Sequence, residues 1–151
     1  MLRPRSVCTV IPTHEGEHVD QHTYIMIKPD AVARGLVGRI LTRFEETGLH
    51  FERLEFGNVT ADQAAANYRE HEGKPFYAEL IDYITSGPVV KIVLSGPDAV
   101  AVCRKLMGAT DPSVAAPGTI RGDLGLNMAA NIVHGSDSPE SAEREIMVFF
   151  G

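Results

Sequence analysis

Cysteine is scarce in this sequence: Cys8 and Cys103 are its only two, and tryptophan is absent. Two cysteines cannot form the disulfide framework that stabilises small secreted domains, so we expect a reducing, cytoplasmic environment. No apolar run is long enough to span a bilayer, and we expect no membrane association. The apolar stretch SVCTVI near the N-terminus is too short for the core of a signal peptide, although a cleaved organellar presequence stays a minor alternative.

Several enzyme motifs are missing as well. The sequence contains no G-x-x-x-x-G-K-[ST] phosphate loop, no G-x-S-x-G elbow, no H-E-x-x-H and no cysteine-rich zinc spacing. Acidic residues exceed basic ones, 20 to 14, and the net charge of -6 argues against a nucleic-acid partner, because a phosphate backbone is bound by clustered Lys and Arg. A small phosphate ligand is not excluded, since it needs only a few cations in one cleft.

What the sequence does contain is typical of one globular domain. Its 151 residues are 44% hydrophobic and 23% charged, and no linker or internal repeat divides them. We interpret residues 1–22 as a flexible N-terminal tail and residues 23–151 as a single domain. His14, His18 and His22 recur every fourth residue, which on a helix would form a metal-binding face, but no capping or apolar pattern supports a helix there.

The periodicity of apolar residues predicts four strands and five helices. Strands are expected at 23–27, 49–59, 88–95 and 131–134, and helices at 36–44, 60–71, 76–84, 99–107 and 139–150. If the helical pair within 60–84 is an insertion, the remaining order is βαββαβ. This order predicts an α/β (α+β) ferredoxin-like fold, in which helices cover one face of a four-stranded, mainly antiparallel sheet. A loop without periodicity, from Gly108 to Gly125, precedes the last strand, and loops this long are usually functional or disordered.

Local signals refine three of these elements. The apolar residues of the second strand change phase midway, which suggests a β-bulge. Thr60 and Gln63 have the spacing of a helix capping box. Ser138 followed by Pro139 is typical of a helix start, so the last helix is expected to begin there.

His134 lies at the end of the last predicted strand, just before a Gly-Ser-Asp turn. A lone histidine is most often structural, but Glu145 follows eleven positions later, and this spacing lets the chain fold back through a tight turn and two turns of helix. A carboxylate on one ring nitrogen fixes the tautomer and leaves the other nitrogen free as a nucleophile. Ser136 can in turn orient Glu145.

Three cations are candidates for binding phosphate. Lys28 ends the first predicted strand, Arg104 lies on the helix before the long loop, and Arg121 lies within that loop. Each is by itself most often a solvated surface charge. Glycines on either side of Arg121 in PGTIRGD let a ligand approach the backbone closely, and Thr110 adds a hydroxyl group. The ends of the first and last strands can be neighbours in a ferredoxin-like sheet, so Lys28 and His134 can share one cleft.

Six segments together resemble the nucleoside diphosphate kinase family: KPDAVARGLVG, HEGKPFY, SGPVV, GATDP, PGTIRGD and NIVHGSDSPESAEREI. They occur in the family's order, and the match to the family runs from about residue 23 to residue 150. The most specific of them is NIVHGSDS followed by Glu145. Two residues depart from the family's pattern: Ala31 stands where glycine is usual and Ala33 where a polar residue is common. Neither is a ligand position.

The resemblance implies a role for each candidate. His134 is the nucleophile, phosphorylated on Nδ1, and Glu145, which Ser136 orients, holds the opposite nitrogen. Phe76 is the aromatic residue on which the base stacks, and Asp137 lies near a Mg2+ ion and contacts it through water. The residues that contact phosphates and sugar are Lys28, Tyr68, Arg104, Thr110, Arg121 and Asn131.

The activity that the resemblance implies is phosphoryl transfer. The γ-phosphoryl group moves from a nucleoside triphosphate to a nucleoside diphosphate by a ping-pong mechanism through phospho-His134, with little base specificity. Expected partners are nucleotides such as ATP, ADP, GTP and GDP, with Mg2+ as cofactor, no nucleic acid, and further copies of the chain in a hexamer or tetramer whose contacts involve the loop around Pro112. Two alternatives are a non-catalytic nucleotide-binding module and a phosphatase in which water takes the phosphoryl group from His134.

Overall fold

Four strands form one sheet in which every neighbouring pair is antiparallel. The computed structural model describes residues 20–151, and the predictions for residues 1–19, including those for His14 and His18, lie outside the described residues. The order across the sheet is β2-β3-β1-β4, and the strands, numbered along the chain, are Asp20–Ile27, His50–Gly57, Val89–Pro97 and Val133–Gly135. Residues 20–22 thus belong to β1, although the sequence predicts them in the tail.

Seven α-helices and one 3-10 turn accompany the sheet within the described residues. The α-helices, α1 to α7, are Pro29–Ala33, Val37–Glu45, Ala61–Asn67, Tyr77–Ile84, Ala99–Met107, Ile120–Leu124 and Pro139–Phe150, and the 3-10 turn is Arg69–His71. With α3 and α4 as the insertion, this order confirms the predicted ferredoxin-like fold. The sequence did not predict α1 and α6, because five residues are too few to show a helical period. As a correction, α6 lies inside the segment 108–125 that was expected to be loop.

The local signals in the sequence correspond to features of the structure. The register of β2 against β3 shifts near the start of β2, which is the predicted bulge. Thr60 and Gln63 form a capping box at the start of α3, with both reciprocal hydrogen bonds present. The Ser138 hydroxyl accepts a hydrogen bond from the backbone N–H of Ser141 at 3.1 Å, so α7 begins at the expected position.

The sheet is covered on both faces. Because side chains alternate along a strand, Ile25 and Ile27 of β1 pack on one face with residues of α2, α5 and α6. Tyr24 and Met26 point to the other face and pack with residues of α3, α4 and α7. The prediction that helices cover only one face is therefore wrong, since the inserted helices and α7 bury the second. Within residues 20–151, no helix combines the length and the apolar character needed to cross a membrane.

Close packing explains a glycine in the loop that precedes β4. The Thr119 hydroxyl accepts a hydrogen bond from the backbone N–H of Gly122 at 3.0 Å and caps α6. A Cβ atom on Gly122 would clash with the carbonyl oxygen of Ala116 and lie 2.8 Å from the Thr119 hydroxyl. Gly122 thus lets the loop fold tightly against its own helix, whereas the sequence suggested that it admits a ligand.

We expect Gly122→Ala to destabilise the protein by about 1–3 kcal/mol, because the added methyl group overpacks against backbone that cannot move away cheaply. Gly38→Ala is a matched control: Gly38 lies in α2, and a Cβ atom there meets nothing within 4 Å. That substitution should raise stability by about 0.4–1 kcal/mol, because it restricts the unfolded chain. Urea denaturation of both variants measures the difference, and equal free energies of unfolding would contradict this account of the loop.

Candidate active site

His134 lies in β4, where it is paired with Met26 of β1. The strand ends one residue later, so the imidazole stands at the edge of the sheet with 23% of the side chain exposed. Its Nε2 atom is 2.8 Å from Oε1 of Glu145, which is on α7. Because an ionised carboxylate only accepts hydrogen bonds, Nε2 carries the proton. Nδ1 has no hydrogen-bond partner among residues 20–151 and is the nitrogen left with a lone pair.

Glu145 is held on its second oxygen by Ser136. The Ser136 hydroxyl donates to Oε2 of Glu145 at 2.6 Å and accepts from the backbone N–H of Tyr24 at 3.1 Å. The backbone N–H of Ser136 also donates to the Tyr24 carbonyl at 3.0 Å. Both Ser136 and Glu145 are buried, at 1% and 4% exposure. A continuous chain of hydrogen bonds therefore runs from the backbone of β1 through serine and carboxylate to the imidazole.

A cavity of about 320 Å³ opens beside His134. It brings together most of the candidates from distant parts of the chain. Of the candidates named from the sequence, its walls contain Lys28, Tyr68, Arg104, Thr110, Arg121, Asn131, His134, Asp137 and Glu145. Ser136 lies behind the wall, through its bond to Glu145. Four cationic side chains, those of Lys28, Arg104, Arg121 and Arg144, and the unpartnered imidazole nitrogen thus face one space, which suits a ligand carrying several negative charges.

Lys28 is buried and fixed by a short relay of hydrogen bonds. Its Nζ atom donates to Oδ1 of Asn131 at 2.7 Å, and Nδ2 of Asn131 donates to the carbonyl of Thr110 at 3.0 Å. Burial lowers the pKa of the Lys28 ammonium to about 8, with a further contribution from the charge of Arg121. Because burial makes the free cation costly, the site favours a ligand that supplies negative charge.

Arg121, in α6, ties the loop to the strand that carries the histidine. Its guanidinium donates to the carbonyl of Gly108 at 2.9 Å and to that of Val133 at 2.8 Å, one residue before His134. Its Nε atom is buried and has no partner within residues 20–151. Burial lowers the pKa of Arg121 to about 10, and the nearby charge of Arg104 adds to the effect.

The backbone just before the histidine is strained. Ile132 has a φ of 63°, in the left-handed region that β-branched residues rarely adopt, and the backbone N–H of Val133 donates to the carbonyl of Asn131 at 2.8 Å across it. Strain of this kind persists only where surrounding contacts impose it. The Ile132 carbonyl accepts from the Lys28 backbone N–H at 2.9 Å, so this turn also joins β1 to the approach to β4.

No group of three metal-ligating side chains is found in residues 20–151. Asp137 nevertheless lines the cavity, and the pKa of its carboxyl lies below the usual range because the Ser141 side chain hydrogen-bonds to it and because Arg104 and Arg144 lie nearby. Oxygen ligands are those that Mg2+ prefers, and Mg2+ usually keeps several waters. These residues fit a hydrated ion that arrives with phosphates rather than an ion held by protein alone.

Phe76 lies apart from the other candidates, in the wall of a neighbouring cavity of about 410 Å³. Lys28 lines both cavities and connects them. The wall of this neighbouring cavity also contains Met128, which is 58% exposed and which the sequence did not indicate, because it lies in an aperiodic segment. The other residues of this wall are Glu79, Leu80, Tyr83 and Ala129.

Part of the wall beside His134 was not predicted from the sequence. The additional side chains there are Asn67, Glu70, His71 and Arg144. Three of them follow or precede Tyr68 closely in the chain, and Arg144 precedes Glu145, so proximity to a candidate was the one signal available. Their spacing in the chain does not distinguish them from solvated neighbours, since turns and helix surfaces carry many such residues.

Comparison with known proteins gives one consistent family. The sequence model of the nucleoside diphosphate kinase family matches residues 21–151. The nucleoside diphosphate kinase of Mycolicibacterium gilvum is 57% identical over 131 residues, covering 86% of this chain and 96% of the relative. That of Halalkalibacterium halodurans is 53% identical over 130 residues, covering 86% of this chain and 88% of the relative.

Solved structures agree with the sequence relatives. A halophilic nucleoside diphosphate kinase from Halobacterium salinarum, in complex with CDP, superposes with a TM-score of 0.84 at 48% identity and covers 87% of this chain and 88% of that one. The enzyme from Aquifex aeolicus gives a TM-score of 0.83 at 39% identity, with 88% and 96% covered. Sequence and fold agree over nearly all of the described residues, and on these grounds the chain belongs to the nucleoside diphosphate kinase family.

Proposed function

We propose that this protein moves the γ-phosphoryl group from a nucleoside triphosphate to a nucleoside diphosphate through a phosphohistidine at His134. Membership of the family makes the protein a phosphotransferase that acts on nucleotides. The observation that carries the residue assignment is the geometry at His134: Nε2 is held by Glu145 at 2.8 Å, while Nδ1 has no partner among the described residues and lies beside a cavity lined by four cationic side chains.

The first half-reaction begins with the lone pair of Nδ1. It attacks the γ-phosphorus, the bond from that phosphorus to the β,γ-bridging oxygen breaks, and the nucleoside diphosphate leaves. The imidazole becomes positively charged, and Glu145 stabilises that charge at Nε2. In the second half-reaction a terminal oxygen of a new diphosphate attacks the phosphorus, and the P–Nδ1 bond breaks. Catalysis of phosphoryl transfer depends mainly on positioning the reactants and on neutralising the charge of the phosphates. We assign the charge neutralisation to Lys28, Arg104 and Arg121.

Nucleotide kinases of this family use a divalent metal, and we propose Mg2+. The ion would neutralise negative charge on the phosphates, and Asp137 would hold it through water. Phe76 would stack against the base, and Asn131, Thr110 and Tyr68 would contact sugar and phosphates. We further propose that the enzyme is cytoplasmic and that it forms a homo-oligomer.

Little base specificity is expected, because stacking on a flat apolar surface such as that of Phe76 tolerates every base. The groups assigned to phosphate and sugar contact parts that all nucleotides share. The Halobacterium salinarum relative binds a pyrimidine nucleotide, CDP. This supports the proposal that pyrimidines as well as purines are accepted here.

Mixing the protein with ATP and Mg2+ but no acceptor should yield a species carrying one phosphoryl group, measured as intact mass. The adduct should be acid-labile, as a phosphoramidate is, and ADP should remove it. His134→Ala should abolish both the adduct and turnover, whereas His50→Ala, at an exposed position of β2, should change neither. Labelling that persists in His134→Ala would disprove the assignment. Release of inorganic phosphate without a new triphosphate would indicate the phosphatase instead.

Glu145→Gln should slow turnover by roughly 10²-fold while nucleotide affinity stays nearly unchanged, because the group stabilises charge that develops on the imidazole during transfer. The measurement is the separate determination of kcat and KM. Glu143→Gln removes an exposed carboxylate two residues away on α7 and should leave both constants near those of the parent protein. A loss confined to KM would place Glu145 among the nucleotide-binding groups and contradict its position behind the histidine.

Purine and pyrimidine diphosphates, ribo and deoxy, should all serve as acceptors, with kcat/KM values within about two orders of magnitude, as one or two apolar contacts would allow. Phe76→Ala should weaken binding of every base, most strongly for the larger purines. A competition series with ADP, GDP, CDP, UDP and dTDP provides the measurement. Use of a single base would be incompatible with stacking as the main contact.

A further inference from the structure

We propose that Glu79 contacts the edge of the stacked base and gives the enzyme a graded preference for guanine. The inference rests on the proposed function, because it concerns the acceptor nucleotide of that reaction. Its starting point is the 410 Å³ cavity beside the active site, whose walls are mostly apolar and contain one unengaged carboxylate. A cavity with a flat aromatic wall and one acceptor group can distinguish bases as well as bind them.

Glu79 and Phe76 lie on the same face of one helix. Phe76 caps α4, and Glu79, Leu80 and Tyr83 follow it at three, four and seven positions. Residues at this spacing form one stripe along a helix, and all four line the cavity. A base stacked on Phe76 would therefore lie beside the helix surface that carries Glu79.

The Glu79 carboxylate is available to a ligand, unlike the other polar groups of this wall. Lys28 donates to Asn131 at 2.7 Å, and the Tyr83 hydroxyl donates to Asp30. Glu79 has no hydrogen-bond or ion-pair partner within residues 20–151, and it is exposed. No protein contact of the described residues has to be broken before the carboxylate binds a base.

The chemistry of the bases then sets the order of preference. A carboxylate only accepts hydrogen bonds, through two oxygens side by side. Guanine presents two donors side by side, N1–H and the 2-amino group, which match both oxygens. Adenine and cytosine present one amino group next to an acceptor nitrogen, and uracil and thymine present one N–H between two carbonyls. Guanine is thus favoured, and hypoxanthine, which lacks only the 2-amino group, loses one of the two bonds.

Charge alone would act differently from this contact. A carboxylate near a polyphosphate repels all nucleoside diphosphates about equally, because they share the same phosphates. A hydrogen bond to the base edge instead changes the ratio between bases. The preference that we expect stays within the two orders of magnitude proposed above, since an exposed hydrogen bond to a charged group contributes a factor of about 3 to 10.

The experiment measures the acceptor step alone. Phosphorylated protein is prepared with ATP and Mg2+, isolated, and mixed with increasing concentrations of GDP, inosine diphosphate, ADP, CDP or UDP, and the loss of the phosphoryl group is followed in a single turnover. GDP should exceed inosine diphosphate about 3- to 10-fold in second-order rate constant. Glu79→Ala should abolish this ratio, and Asp82→Asn, which removes an exposed carboxylate of α4 outside the cavity wall, should preserve it.

Three outcomes would overturn the proposal. One is equal rate constants for GDP and inosine diphosphate in the parent protein. Another is a ratio that Glu79→Ala leaves unchanged, and the third is a uniform gain for all diphosphates in Glu79→Ala, which indicates charge repulsion alone. In all three outcomes the phosphoryl group is still transferred to the added diphosphates, so the proposed function stands. Failure of every diphosphate to remove it would refute the proposed function, and this inference with it.

Discussion

A carboxylate removed from water has to be paired, and Glu145, at 4% exposure, is paired on both oxygens. One oxygen accepts from the His134 imidazole and the other from the Ser136 hydroxyl, which is itself held by the backbone of Tyr24. Loss of either donor would leave a buried charge partly unsatisfied, so the three side chains depend on one another. This shared constraint keeps Nε2 occupied and leaves Nδ1 without a hydrogen-bond partner among the described residues.

The helix that supplies Glu145 is anchored at both ends. Ser138 caps its first turn, and Phe149 in its last turn stacks on Tyr24 with ring centroids 4.7 Å apart and planes 4° from parallel. Arg53 of β2 donates to the carbonyl of Phe150 at 3.2 Å. Tyr24 therefore fixes the carboxylate twice, through its backbone by way of Ser136 and through its ring by way of α7. Such double support holds a side chain more precisely than a loop would.

The cations of the site are held close together before any ligand arrives. The pKa of Lys28 falls to about 8 and that of Arg121 to about 10, in both cases first because of burial and then because of another cation. Phosphate oxygens bound beside these side chains would supply negative charge and favour their charged forms. The left-handed backbone at Ile132 lies directly beside this site, and its carbonyl accepts a hydrogen bond from the backbone N–H of Lys28.

Sequence alone determined the features that depend on near neighbours along the chain. Apolar periodicity predicted the order of strands and helices along the chain. Hydrogen bonds that span three or four residues explain the capping box at Thr60 and the start of α7 at Ser138. The family motifs identified the candidate side chains, but not how they are held. The tertiary structure alone decided that Lys28 bonds Asn131, 103 positions away, that Tyr24 holds Ser136, and that Phe76 faces a separate cavity. It also decided that helices cover both faces of the sheet. These contacts join segments far apart in the chain, and only the packing of the whole sheet and its helices sets the distances between them.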